Sequence, residues 1–138
     1  MNTPAFALGD GITPPTPFVL LPHIIEDRGS RYSVSYGQVQ SREDIKTFLK
    51  TLKKDKGYVR ADHNSFAARI EHEGVIYETK SDDGETGAGQ VILRMLEKHD
   101  VRNSVVCVTR WFGGIKLMGD RFKHIQDATV TAIHHMKE

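Results

Sequence analysis

Alternating apolar and polar residues predict a strand in the first third of the chain. Between residues 30 and 39, Tyr32, Val34 and Tyr36 share one face, and small or charged polar residues share the other. This period of two is typical of a strand with one buried face. We therefore expect a half-buried strand here.

Helical spacing of apolar residues follows at three places. Ser41 and Asp44 have the spacing of a capping box, and apolar residues then recur every three or four positions until Gly57. The same spacing occurs over residues 90–99 and again after Asp120, which we expect to cap the last helix. The chain therefore contains three predicted helices.

Three further strands complete the predicted fold. Residues 63–70 and 75–80 are rich in apolar residues and are separated by a short turn, which predicts a hairpin. Residues 104–109 are almost wholly apolar and β-branched, as in a central strand covered on both faces. The predicted order β, α, β, β, α, β, α indicates an α+β fold, a two-layer sandwich with a mixed sheet.

Proline marks the beginning of the chain. All five prolines lie within the first 22 residues, at Pro4, Pro14, Pro15, Pro17 and Pro22. Because proline lacks a backbone N–H and interrupts helices, we expect residues 1–17 to form a flexible arm. Residues 18–138 are then long enough to form a single domain with its own core.

Composition and charge narrow the class of protein. Apolar residues make up 38% of the chain, charged residues 27%, and the net charge is +1, as in an ordinary globular protein. The longest apolar stretch, residues 18–25, is interrupted by Pro22 and is shorter than the ~20 residues of a membrane span, so we expect no membrane partner. The single cysteine, Cys107, predicts a core thiol, no disulfide-linked partner and a cytoplasmic location.

The first candidate site is the sequence SDDGETGAG at residues 81–89, called the acidic loop below. Asp82, Asp83 and Glu85 argue against a phosphate cradle, and no Lys-Ser or Lys-Thr follows the glycines. Carboxylates in loops usually serve as caps or ion-pair partners. Together with His63 they also suit a cation such as Mg²⁺, which keeps a metal-assisted hydrolase as the alternative. The main interpretation involves no metal and no other cofactor.

The second candidate site is the sequence TRWFGGIKLMGDRFKH at residues 109–124, called the basic segment below. Basic side chains interleaved with aromatic ones suit contacts with single-stranded RNA or with a protein. The plainer alternative is that Arg110 pairs with Asp82 or Asp83 and that the aromatic rings belong to the core. The candidate binding residues are Arg110, Trp111, Phe112, Gly113, Gly114, Lys116, Arg121, Lys123, His124, His63, Asn64, Asp82, Asp83, Gly84 and Glu85.

The sequence contains no recognisable catalytic constellation. No Ser-His-Asp, Cys-His or HExxH arrangement can be identified, and Cys107 lies between two valines in a predicted strand. We therefore expect a binding module with no catalytic residues. Its contact surface would be formed where the acidic loop and the basic segment meet.

Three stretches resemble the IMPACT (YigZ-type) family, in particular the ancient domain of its eukaryotic members. They are DHNSFAARI, SDDGETGAG and VVCVTRWFGGIKLMGDRFKHI, at residues 62–70, 81–89 and 105–125, and the resemblance covers about residues 28–136. It implies a fold similar to the second domain of ribosomal protein S5. It also implies a role without established catalytic activity.

The resemblance further implies regulation of translation in the stress response. Eukaryotic relatives damp a starvation-responsive kinase by competing for its ribosome-associated activator. The implied partners are therefore a ribosome-associated or kinase-pathway protein, with RNA as a second option. Eukaryotic members usually carry an additional N-terminal domain and bacterial-type members a second, ferredoxin-like domain, whereas these 138 residues match the shared domain.

Overall fold

A computed structural model describes residues 11–138 of the chain. Its strands are β1 (Val19–Asp27), β2 (Ser30–Gln38), β3 (His63–His72), β4 (Val75–Ser81) and β5 (Ser104–Trp111). Its helices are α1 (Arg42–Leu52), α2 (Lys56–Val59), α3 (Ala88–Lys98) and α4 (Asp120–Met136). None of the helices within residues 11–138 combines the length and the apolar character that crossing a membrane requires.

The strands form one sheet in the order β1-β2-β5-β3-β4. The predicted α+β class is confirmed, but the expectation of a mixed sheet needs correction, because every pair of neighbouring strands is antiparallel. β2 and β3 do run in the same direction, but β5 lies between them and runs the opposite way. Within residues 11–138 the parallel pairing is limited to an isolated bridge between Ile12 and Val101.

Helices α3 and α4 pack on one face of the sheet and form the predicted two-layer sandwich. They bury Tyr32, Val34 and Tyr36 of β2 together with Val106 and Val108 of β5. Each such side chain contributes about 1.5–3 kcal/mol when it is fully removed from water. This face therefore holds the main core of the domain.

A second apolar cluster covers the other face of the sheet. Ile45, Phe48 and Leu52 of α1 join Tyr58 of α2 against the central strand β5. The Tyr58 hydroxyl donates a hydrogen bond to Ser33 Oγ of β2 at 3.1 Å. β2 is therefore buried on both faces, which corrects the expectation of a half-buried strand. The polar residue Ser33 suggested an exposed face, but its hydroxyl has a hydrogen-bond partner inside the protein.

The apolar stretch before β2 forms the edge strand β1. The pairing of β1 with β2 shifts register between Leu21 and Ile25, and Pro22 lies in this interval. A proline cannot donate a hydrogen bond to a neighbouring strand, and an edge strand with an irregular register tolerates it. β1 is an element that the period-two pattern did not reveal.

Residues 11–17 of the expected arm contact the domain. The Arg102 N–H donates to the Ile12 carbonyl at 2.7 Å, and the Gln38 N–H donates to the Thr16 carbonyl at 2.8 Å. This part of the arm is therefore attached at two places. Residues 1–10 lie outside the described residues, and a domain boundary at residue 17 stays a prediction.

The ends of the elements follow local signals, with one exception. The Ser41 hydroxyl accepts a hydrogen bond from the Asp44 N–H at 3.1 Å, which confirms the predicted start of α1. The predicted hairpin is also confirmed, and its two turn residues, Glu73 and Gly74, have φ of 51° and 79°. Asp120 does not cap α4 as expected: it is the first helical residue, and its carboxylate accepts a hydrogen bond from Arg28.

Candidate functional site

The acidic loop and the basic segment meet at one edge of the sheet and enclose a groove of about 550 Å³. β4 and β5 both run antiparallel to β3, so the carboxyl ends of β4 and β5 lie at the same edge. Each candidate site begins at one of these ends. The groove is lined by His63, Gly84, Glu85, Arg110, Phe112, Lys116, Leu117, Met118, Gly119, Arg121 and Phe122.

A buried ion pair joins the two sides of the groove. Arg110 Nη1 donates to Glu85 Oε1 at 3.1 Å and to Oε2 at 3.0 Å. The two side chains are only 7% and 3% exposed. Arg121 Nη1 lies 3.6 Å from the same carboxylate. Glu85 is thus the counter-ion of Arg110, which corrects the alternative of a pair with Asp82 or Asp83.

Aromatic rings surround the Arg110 guanidinium. Its Cζ lies 5.6 Å from the ring centroid of Tyr32 and 5.8 Å from that of Phe112, within the range of cation–π attraction. Ser30 Oγ accepts a hydrogen bond from Arg110 Nη2 at 3.3 Å. Burial raises the pKa of Tyr32 to about 12, so its phenol is neutral at physiological pH. Arg110 is therefore held on several sides.

The carboxylates of Asp82 and Asp83 bind the backbone. Asp82 accepts hydrogen bonds from the N–H groups of Gly87 and Gly89 at 2.9 and 2.8 Å, and these bonds lower the pKa of Asp82 below its ordinary value. Asp83 accepts from the Asn64 N–H at 2.8 Å. Gly87 precedes α3 with φ of 90°, a conformation that glycine adopts without strain. The acidic loop therefore shapes the start of α3.

This arrangement does not support the alternative of a metal-assisted hydrolase. Asp82 and Asp83 bind backbone N–H groups and Glu85 binds Arg110, so the three carboxylates do not converge on a common point. Within residues 11–138, no three His, Cys, Asp or Glu side chains are grouped to hold a metal ion. Cys107 is buried as predicted, and burial raises its pKa to about 12, so its thiol is protonated.

Trp111 lies on the opposite side of the sheet from the groove. Its indole Nε1 donates to the Gly57 carbonyl at 3.0 Å, and its ring meets that of Tyr58 edge-on at 4.9 Å. Successive residues of a strand point to opposite faces, so Arg110 and Trp111 cannot share one surface. The expected aromatic platform is therefore corrected: Phe112 lines the groove and Trp111 packs against the second cluster.

Asn64 and His63 link the acidic loop to neighbouring strands. The Asn64 side chain is buried, donates to the Tyr58 carbonyl at 2.9 Å and accepts from the Thr109 hydroxyl at 2.7 Å. His63 Nδ1 lies 2.9 Å from the Asp83 carbonyl oxygen, and its ring lines the groove. Asn64 is thus placed beneath the site, and His63 reaches its surface.

Lys123 and His124 lie on α4 outside the groove. Lys123 Nζ pairs with Asp127 at 2.9 Å, one turn further along the helix. His124 Nε2 lies 2.8 Å from Asp27 Oδ2, at the end of β1. The hydrogen bonds from Arg28 and His124 lower the pKa of Asp27. The contact between His124 and Asp27 fastens the start of α4 to the β1–β2 hairpin, whereas the Lys123–Asp127 pair lies within the helix.

The paired glycines of the basic segment differ in their roles. A Cβ on Gly113 would lie 2.0 Å from the Gly29 carbonyl carbon, so only glycine fits against the β1–β2 turn. Gly114 has φ of 94°, and a Cβ added there would meet no other atom within 4 Å. Neither lines the groove, and both shape the chain that carries Phe112 and Lys116 to it.

Several residues of the groove are not singled out by the sequence. Helical spacing places Phe122 in the apolar stripe of the last helix. Strand alternation places Tyr32 in the core, and its ring lies near the Arg110 guanidinium without lining the groove. Met118 and Gly119 carry no signal of their own within the basic segment. Met118 is 71% exposed, which helical or strand periodicity cannot reveal in an irregular loop.

The groove carries an excess of positive charge. Arg110, Lys116 and Arg121 are the cations among its lining residues, and Glu85 is the carboxylate. Lys116 is exposed. Apolar side chains lie beside these cations, because Phe112 and Met118 are 48% and 71% exposed. The arrangement suits binding of a ligand that is both negatively charged and apolar.

The chain is similar in sequence to IMPACT proteins of several eukaryotes. It is 37% identical over 110 residues to the Protein IMPACT homolog of Schizosaccharomyces pombe and 40% identical over 111 residues to that of Saccharomyces cerevisiae. Each match covers 79% of this chain. The matched region spans only 39% and 43% of those two relatives.

Two solved structures share the fold. One is described as the structure of the two-domain translational regulator Yih1, with a TM-score of 0.55, 34% identity, and coverage of 98% of this chain and 49% of that chain. The other is a crystal structure of a hypothetical protein, with a TM-score of 0.77 and coverage of 90% and 60%. At 23% identity the second likeness shows the fold alone.

The family model described as the Impact N-terminal domain matches residues 28–133. The match includes the acidic loop, the basic segment and the strands that bring them together. The resemblance noted in the sequence is thereby confirmed. This chain belongs to the Impact N-terminal domain family.

Proposed function

We propose that this chain is a non-catalytic binding module that regulates translation by contacting a partner protein through the groove. Its family membership and its likeness to a protein described as a translational regulator support the role. The observation that carries the proposal is the groove itself: a buried ion pair fixes its sides, and apolar and basic side chains remain exposed at its rim.

The exposed apolar side chains support a protein contact. Phe112, Ile115 and Met118 are 48%, 53% and 71% exposed, and all three lie within a stretch of seven residues in the basic segment. Clustered exposed apolar side chains of this kind commonly mark interaction surfaces. Aromatic residues and methionine are also enriched at protein interfaces. We assign these three side chains to the contact surface.

The buried contacts beneath the groove support a surface that is formed before binding. Arg110 and Glu85 join its two sides, and Asp82 holds the acidic loop against the start of α3. A surface held in place by such contacts loses less conformational entropy when a partner binds. The partner would therefore meet a preformed groove.

A protein partner fits the groove better than RNA does. Single-stranded RNA is bound by successive aromatic platforms beside cations. Trp111 lies on the other side of the sheet, and Ile115 and Met118 have no aromatic face on which a base can stack. The partner we propose is a ribosome-associated or kinase-pathway protein, with the contact made in the cytoplasm during the stress response.

A cell-free translation assay tests this role. Purified chain is added to a yeast extract, and the rate of reporter synthesis is measured with the wild type and with the double variant Phe112→Ala, Met118→Ala. We expect the wild type to change the rate and the double variant to lose most of that effect. Tyr77→Ala is the matched control, because Tyr77 is 56% exposed but lies on the edge strand β4.

Two outcomes would contradict the proposal. One is a double variant that acts on translation as strongly as the wild type. The other is a chain that binds RNA with an affinity that falls steeply with salt and depends on Lys116 but not on Met118, which is the signature of phosphate contacts.

A further inference from the structure

The charges of the groove are not balanced within the chain. Glu85 Oε2 lies 3.0 Å from Arg110 and 3.6 Å from Arg121, so one carboxylate is shared by two guanidinium groups. Lys116 adds a further positive charge to the lining. Among the described residues, Lys116 and Arg121 form no side-chain hydrogen bond, and Lys116 forms no ion pair. The groove is therefore complementary to a negatively charged group.

Several polar atoms around the groove also lack partners. Arg110 Nε, Arg121 Nε and Tyr32 Oη are buried, and within residues 11–138 none of them has a hydrogen-bond partner. The Arg110 side chain is 93% buried, as its 7% exposure shows. A buried donor without an acceptor costs free energy, and a ligand oxygen that reaches it would recover that cost.

The apolar residues beside the cations restrict the ligand further. Phe112, Leu117, Met118 and Phe122 line the same groove as the two arginines. A free phosphate would use the cations and leave the exposed side chains of Phe112 and Met118 uncovered. A peptide with an acidic residue next to an apolar one would use both.

We propose that the groove binds an acidic, hydrophobic peptide segment of the partner protein. Glu85 already occupies the place between Arg110 and Arg121, so one Asp or Glu side-chain carboxylate of the peptide pairs with Arg121 and Lys116 on the open side of the groove. The neighbouring apolar side chain packs against Phe112 and Met118. This inference rests on the proposed function and names the chemistry of the partner that the groove recognises.

The chemistry of arginine suits this role. A guanidinium group presents several donors in a plane and binds a carboxylate through two parallel hydrogen bonds. Arg110 is fixed by Glu85, Ser30 and Tyr32 and forms a rigid wall of the groove beside Arg121. Arg121 is 34% exposed, and its guanidinium Cζ lies 4.7 Å from the ring centroid of Phe122, so it offers a cation beside an apolar surface. Lys116 lies nearer the solvent and would steer acidic residues toward the groove.

Selection from a displayed library of random 12-residue peptides tests the inference. The full chain is immobilised, and the library is displayed with its peptide carboxyl ends blocked by the carrier protein, so that only side-chain carboxylates are available. We expect the selected pool to be enriched in Asp or Glu next to Leu, Ile, Phe or Met. We also expect binding of that pool to fall about tenfold or more on the double variant Lys116→Gln, Arg121→Gln.

A matched double variant controls for net charge. Lys50→Gln and Lys98→Gln remove the same two charges from exposed positions on α1 and α3. This variant should bind the selected pool as the wild type does. A synthetic peptide from the pool, with its acidic residues replaced by the corresponding amides, should bind the wild type about tenfold more weakly or worse.

The inference is overturned by a selection that enriches no peptides, or peptides without acidic residues. It is also overturned if the pool binds both double variants equally, or if a 12-nucleotide RNA or inorganic phosphate displaces the peptide at lower concentrations than its amide analogue does. Failure here is distinct from failure of the proposed function. If Phe112→Ala, Met118→Ala still abolishes the effect on translation, the groove remains the contact surface and only the acidic peptide is excluded.

Discussion

The acidic loop and the basic segment face each other across the groove, but they use their side chains in opposite ways. Asp82, Asp83 and Glu85 each accept hydrogen bonds from the protein itself. In contrast, Phe112 and Met118 of the basic segment are exposed. The acidic loop is therefore a support and the basic segment a contact surface. Dense charge in a sequence does not by itself identify the side that binds.

The largest expected effect comes from removing the carboxylate that joins the two regions. Glu85→Gln leaves the Arg110 guanidinium buried without a counter-ion, and breaking a buried pair in this way typically costs about 3–5 kcal/mol. We expect the free energy of unfolding in urea to fall by about this amount. Arg121, 3.6 Å from the same carboxylate, loses its counter-ion as well, and the two guanidinium groups are then left to repel each other.

Glu73→Gln is the control for that measurement. Glu73 lies at the tip of the β3–β4 hairpin with 84% of its side chain exposed, so the same chemical change should alter stability by less than about 0.5 kcal/mol. If Glu85→Gln were equally harmless, the buried pair would not hold the two regions together, and the distinction between support and contact surface would be lost.

The second effect distinguishes two neighbouring carboxylates of the acidic loop. Asp82 accepts two backbone hydrogen bonds at the start of α3, whereas Asp83 accepts one from Asn64. Asparagine keeps one acceptor oxygen, so it can replace the single bond of Asp83 but only one of the two bonds of Asp82. A lost hydrogen bond costs about 0.5–1.5 kcal/mol, so we expect Asp82→Asn to destabilise the domain more than Asp83→Asn does. Urea unfolding of the two variants in parallel measures the difference. The reverse order would show that the start of α3 does not depend on Asp82.

Much of the fold is accessible from the sequence because its signals are local. The cap at Ser41 and the hairpin are predicted correctly, since each depends on residues close together in the chain. The antiparallel arrangement of the sheet is not predicted, because an apolar strand pattern carries no information about strand direction. The pair of Arg110 with Glu85 likewise joins residues that are 25 positions apart.

The expected place of Trp111 is wrong for a different reason. The apolar pattern of the last strand ends at residue 109, which puts Arg110 and Trp111 together in an irregular segment. β5 in fact continues through Trp111. Once both residues lie in a strand, alternation alone puts them on opposite faces. The extension of β5 by two residues therefore places Arg110 in the groove and Trp111 against the second apolar cluster.

The dependence of stability on pH gives a further comparison between the wild type and the Asp82→Asn variant. Because backbone N–H groups lower the pKa of Asp82 in the folded state, its ionised form stabilises the fold above its ordinary pKa of 3.8. This stabilisation is lost as the pH falls through the lowered value. We expect the stability difference between wild type and Asp82→Asn to be complete at about pH 7 and to shrink toward about pH 2, measured by urea unfolding at each pH. A constant difference would assign the effect of the substitution to packing.

The smallest effect on stability is expected where the effect on binding is largest. Met118 is 71% exposed and Phe112 is 48% exposed, so the double variant Phe112→Ala, Met118→Ala loses little buried area and should be destabilised by less than about 1 kcal/mol. Thermal unfolding measures the stability of this variant, and the cell-free translation assay measures its activity. A contact surface predicts that binding is lost while the fold is kept. If the two were lost together, Phe112 and Met118 would belong to the support, and the basic segment would not differ in kind from the acidic loop.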